Sequence, residues 1–122
     1  MFLHGSRHEL DVGDVLVAGS KLGFSDNGGK SDAVYMVMTD GYSLSECEAS
    51  EEFNTTFEFA VNEAMWWGES FLYVVAPHGR LSYDDHHDVS PACVKADSAE
   101  VLKKIDVRGL DFDTVLTLVK NA

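Results

Sequence analysis

Residues able to do chemistry fall in four places along this chain. They are His4 beside Gly5, Tyr35 in an apolar stretch, the Trp66–Trp67 pair, and the run "YDDHHD" at 83–88. Each has a plain explanation. A histidine near a chain start is more often a satisfied structural residue than a catalytic one. A tyrosine in an apolar strand is usually core, with its hydroxyl at the surface. Two tryptophans at the end of an amphipathic helix are expected to pack, one ring in and one partly out. The "YDDHHD" run mixes imidazole with the hard oxygens of Asp84, Asp85 and Asp88. Metal sites favour spaced ligands, however, and adjacent histidines point different ways on any regular element. The run also lacks the glycine and terminal glutamate of a calcium loop. An acidic surface loop is the better reading, and no metal site is expected.

Other chemistries are excluded by pattern. There is no nucleophile elbow, and neither Cys47 nor Cys93 has an activating neighbour. Two cysteines without C-x-x-C spacing give neither a zinc site nor a disulfide framework. "SDNGGK" (25–30) has glycines and a lysine but leads into a strand pattern, so it is not a phosphate-binding loop. Net charge is −12, and residues 31–79 contain no Lys or Arg while carrying many Asp and Glu. Phosphate backbones are repelled by such a surface, so nucleic acid is not an expected partner. No signal segment or membrane-spanning apolar run is visible. A soluble cytoplasmic protein is expected.

These residues must be positioned by one domain, 1–122, long enough to bury a core without staples. Strand character appears in "MFLHG" (1–5), "DVLVAG" (14–19), "SDAVYMVM" (31–38) and "SFLYVVAP" (70–77). The last is a continuous apolar run that predicts a buried strand. Phe53, Phe57, Ala60, Val61, Ala64 and Met65 repeat with a period of about 3.6 residues and predict the main helix. Ser45 with Glu48, or Ser50 one turn later, would cap its start, and Gly68 would stop it. "AEVLKKIDV" (99–107) fits a helix by composition and a strand by the alternation of Val101, Ile105 and Val107. "DFDTVLTLVKNA" predicts a terminal helix capped by Asp111 or Asp113. The class is α+β.

In order, these landmarks match a family pattern. "FLHGSRHELDVGDVLVAG" (2–19) resembles the start of the rifamycin-inactivating ADP-ribosyltransferases, the Arr family. That family has an aromatic-x-His-Gly-Thr/Ser strand and then L-x-x-G-D-L/V-L-x-x-G. Phe2, His4, Gly5, Ser6, Leu10, Gly13, Asp14, Leu16 and Gly19 are the matching letters. "VYMV" (34–37), the helix with "FAVNEAMWWGES", "YVVAPHG" (73–79) and "YDD" (83–85) follow in the family's order. The chain departs where the family's strand reads Tyr-Phe-Ser/Thr and this one reads Tyr35-Met36-Val37.

The resemblance implies a small ADP-ribosyltransferase-like fold, a split β-sheet with one main amphipathic helix and an NAD cleft. It implies a triad of His4, Tyr35 and Asp84 or Asp85, with NAD as co-substrate. His4, Gly5, Ser6, Arg7, Lys21 and Tyr35 would contact NAD. Cleavage of the ribose C1′–nicotinamide bond passes through an oxocarbenium-like state, for which a carboxylate suits the developing charge. A tyrosine ring can stack on the cationic pyridinium, and a histidine can hydrogen-bond ribose hydroxyls. Arg7 and Lys21 would meet the pyrophosphate. The expected activity is transfer of ADP-ribose to an acceptor hydroxyl, by resemblance that of a rifamycin-type antibiotic. The alternatives are a mono-ADP-ribosyltransferase acting on a protein, an NAD glycohydrolase, or a non-catalytic binding module supported by Val37. Expected partners are NAD and a small-molecule or protein acceptor, with a monomeric chain and no membrane.

Overall fold

A computed structural model describes residues 1–17, 33–39, 57–68, 70–83 and 93–122. Strand β1 is Phe2–Ser6, β2 Val15–Val17, β3 Val34–Met38 and β4 Phe71–His78. Strand β5 is the two-residue Ser82–Tyr83, β6 is Cys93–Ala96 and β7 is Ser98–Asp106. The helices are α1, Phe57–Gly68, and α2, Phe112–Lys120. The strands form one sheet in the order β2-β7-β4-β1-β3-β6-β5. Every neighbouring pair is antiparallel, and the sheet curls into a half-barrel. The molecule is α+β. Among the described residues, no helix is long and apolar enough to cross a membrane.

The central strands explain the two cores. Residues Phe71 to Val75 of β4 are all buried, because alternate side chains serve opposite faces. Leu72 and Val74 join Leu3, Val37 and Cys93 beneath the helices. Phe71, Tyr73 and Val75 join Val34, Met36, Met38 and Val101 on the other face, with Leu10 and Leu16. Helix α1 turns Ala60, Val61 and Ala64 to the sheet. Alanines four residues apart let its backbone come close. Its predicted cap lies outside the described residues. Trp66 is 80% exposed, so this ring packs outward.

Helix α2 starts at Asp111, whose carboxylate accepts the Thr114 N–H at 2.7 Å. That decides between the two candidate caps. The ambiguous 99–107 segment is strand. Its register against β4 shifts, with Val74 opposite Lys103 and Val75 opposite Val101, so Leu102 is an extra residue. Such a bulge bends the strand and feeds the curl. It also reverses the facing: Ala99 and Val101 serve the helix-free core, and Ile105 and Val107 the helix-covered one.

Candidate active site

The segment that resembles the transferases has a clear structural logic after β1. Gly13 has φ of 95°, a left-handed conformation that glycine adopts at no steric cost. Asp14 Oδ2 accepts the Asp11 N–H at 2.8 Å, and the Asp14 N–H donates to the Asp11 carbonyl at 3.0 Å. The Gly13 N–H donates to the Val101 carbonyl, and the Val101 N–H to the Asp14 carbonyl, each at 2.8 Å. The Gly-Asp pair is therefore a turn that delivers β2 to β7. Its role in the fold is positional.

Residues 8–10 are held one after another across the helix-free face. The Tyr73 hydroxyl donates to the His8 carbonyl at 2.6 Å and accepts the Leu10 N–H at 2.7 Å. Lys104 Nζ lies 3.1 Å from Glu9 Oε1. Burial raises the Tyr73 phenol above its ordinary pKa, outweighing the Leu10 hydrogen bond that lowers it. The phenol thus stays protonated and serves as both donor and acceptor. Tyr73 stands directly opposite His4 in the β1–β4 ladder. The sequence pattern did not single it out. A signal was present: a tyrosine inside a run buried on both faces must find a partner for its hydroxyl.

His4 is itself buried, at 4% exposure. Its Nδ1 donates to the Tyr35 carbonyl across 2.7 Å. A carbonyl oxygen only accepts, so the proton in this bond belongs on Nδ1. This bond sits where the β1–β3 ladder ends. The two strands pair at Phe2↔Met38 and Leu3↔Val37. Beyond Leu3, β1 continues to Ser6 paired to β4, and Val34 to Met36 are paired to β6. Among the described residues, the β1–β3 ladder therefore stops at Leu3, and beyond it the imidazole bridges the two strands. At the other end it is closed by Thr39, whose N–H and hydroxyl both donate to the Met1 carbonyl.

The opening is flanked by several residues expected to contact NAD. Gly5 is half-buried in β1, between His4 and Ser6. Ser6 is turned to its own chain, its Oγ accepting the His8 N–H at 3.0 Å. Arg7 is exposed just past the strand end. Tyr35 is half-buried in the row of Val37, while His4 is in the row of Phe2. The two residues meet at an edge, from opposite faces of the sheet. Val37 is ladder-paired to Leu3 and buried under the helices, so its side chain does not face the opening. Asp84, Asp85 and Lys21 lie outside the described residues. Among the described residues, no group of three His, Cys, Asp or Glu side chains could hold a metal ion.

No family model and no curated protein matches this chain.

Proposed function

We propose that the chain is an NAD-dependent ADP-ribosyltransferase that works at the open β1–β3 seam. The observation that carries this reading is His4, buried and held by Nδ1 to the Tyr35 carbonyl where the ladder stops. A buried imidazole fixed in one tautomer aims an acceptor, Nε2, at one place. A ribose hydroxyl is a donor of the kind that position would select.

A flat ring entering the seam would meet the Gly5 backbone edge-on, with the imidazole to one face and the Tyr35 phenol to the other. The C1′–N bond then breaks with its electron pair, leaving nicotinamide neutral. The ribosyl carbon takes the oxygen of an acceptor hydroxyl, whose proton is lost to solvent or a carboxylate. Asp84 or Asp85 is the carboxylate assigned to the developing charge, from the segment just after β5. A rifamycin-type hydroxyl is the acceptor that the sequence resemblance favours. The module reading drew on the missing hydroxyl at Val37. That side chain faces the helix-covered core, so its apolar character removes nothing from the seam.

The test is nicotinamide release from NAD by purified protein, with and without rifamycins. Release that is absent under every condition would sink the catalytic reading. Release without transfer to a rifamycin would move the assignment to a protein acceptor or to water.

A further inference from the structure

The helices cover only part of their sheet face. Helix α1 lies over β1, β3 and β4. Among the described residues, β7 gives the core beneath the helices only Ile105, and β2 gives it nothing. At the β2–β7 corner the same face is exposed instead, with Val15 at 49% and Leu102 at 45%. Val12, at 64%, stands in the turn alongside, which is bonded to Val101 through Gly13 and Asp14. Clustered exposed apolar side chains, unlike scattered ones, mark interaction surfaces.

The ladder register puts these groups on one side. Leu16 and Ala99 enter the helix-free core, so the neighbouring pair Val15 and Glu100 points the other way. The bulge then gives that side two consecutive residues, Leu102 and Lys103, since Lys103 stands opposite Val74 of the helix-covered core. Glu100 and Lys103 thus bracket Leu102 along β7. Among the described residues, neither makes an ion pair.

Opposite charges on either side of an apolar residue make a strand complementary to its own reverse. A two-fold axis lying in the interface and crossing β7 at Leu102 sets a second β7 antiparallel to the first. Leu102 then meets its own copy, Glu100 meets the partner's Lys103, and Lys103 meets the partner's Glu100. Glu100 is two positions from Leu102 and Lys103 is one. The resulting offset of about 3.3 Å is one that two long side chains span. A chain of net charge −12 repels its copy wherever acidic faces meet, whereas here each carboxylate meets an ammonium.

We propose that the chain forms a two-fold dimer through this corner, sheet face against sheet face, with Leu102 on the axis and Glu100–Lys103 ion pairs on either side. The dimer is independent of the NAD reading, and it takes the place of the monomer expected from sequence.

Sedimentation equilibrium over a concentration series is the test, with circular dichroism checking that each variant folds. The wild-type mass should rise from one chain to two. Lys103→Glu and Glu100→Lys each turn both pairs into like charges, and each should weaken dimerisation about a hundredfold, tenfold per pair. An equimolar mixture of these two variants should associate as the wild type does, because every pair is again a Glu against a Lys. Leu102→Glu should stay a single chain at every concentration. A wild type that never exceeds one chain overturns the proposal. So does a dimer that survives either reversal, or a mixture that fails to associate. A dimer kept in Leu102→Glu and lost in Trp66→Ser would move the interface to helix α1 and overturn it as well.

Discussion

Strand β1 is laddered to β4 through five residue pairs, from Phe2↔Val75 to Ser6↔Phe71, but to β3 through only two. The same five residues thus make one complete seam and one that stops halfway. On the complete side every residue of β1 has a β4 partner, and Tyr73 extends the hold to the chain that follows. On the incomplete side a side chain, the imidazole of His4, takes over from the backbone. Unpaired strand edges are a liability, so a chain that leaves one in the middle of its sheet needs a substitute contact there. The contrast separates a seam held by backbone from one held, past Leu3, by a side chain.

The largest effect should come from the complete seam. Leu72→Ala, at a fully buried position beneath the helices, should cost about 3 kcal/mol in urea denaturation. Nicotinamide release per folded molecule should stay as in the wild type. A selective loss of release would tie that seam to the chemistry and erase the contrast. Next, Tyr73→Phe should cost about 2 kcal/mol, because the His8 carbonyl and Leu10 N–H lose their shared partner. Faster amide exchange should appear at residues 8–10 in particular. Exchange that rises uniformly would show that Tyr73 is ordinary core.

His4 separates the two roles of the open seam. His4→Ala should cost about 1 kcal/mol by leaving the Tyr35 carbonyl without its donor, and should abolish nicotinamide release. Asn carries a donor where the imidazole has Nδ1 and nothing where it has Nε2. His4→Asn should therefore recover the stability and not the release. If Asn restored both, Nε2 would have no part in the reaction.

The smallest effect lies at the far end of the complete seam, where Asp106 stands opposite Phe71. The Arg108 side chain, bonded through both Nε and Nη2, holds the Asp106 carboxyl down at about 2 against an ordinary 3.8. A pKa lower in the folded state means that the pair's contribution is whole above pH 3.8 and is lost as pH falls through 2. Arg108→Met should raise the carboxyl toward its ordinary range in an NMR titration, the residue 108 N–H still holding part of the shift, while the His4 resonances stay in place. Movement at His4 would show the end of β7 and the middle of β1 to be coupled.

Much of this frame was legible because burial writes itself as pattern. The apolar run at 70–77 is the doubly buried β4, and the helical stripe through Ala60, Val61 and Ala64 is the face of α1 that meets the sheet. Asp111 was one of two possible caps, and only backbone geometry separates them. Strand β6 lies within the stretch "SPACVKADSAEVLKKIDV" (90–107), whose likeness to the family's closing strand region did not divide it into β6 and β7. The candidate site was legible in part, since His4 and Tyr35 could be paired only through the family resemblance. What places them together is a ladder that ends early, and pairing between strands thirty residues apart leaves no local mark.

Leu102 sets the phase in which the rest of β7 is displayed. Before it, odd-numbered residues face one core; after it, they face the other. It acts on side chains much as a single inserted base acts on codons, and its own identity matters little. Removing it would leave Val101 and Lys103 as direct neighbours opposite Val75 and Val74, so Ile105 and Val107 would keep their core while the bend was lost. At this position, then, the count of residues sets the curvature of the strand, which a deletion should straighten and a substitution should leave in place.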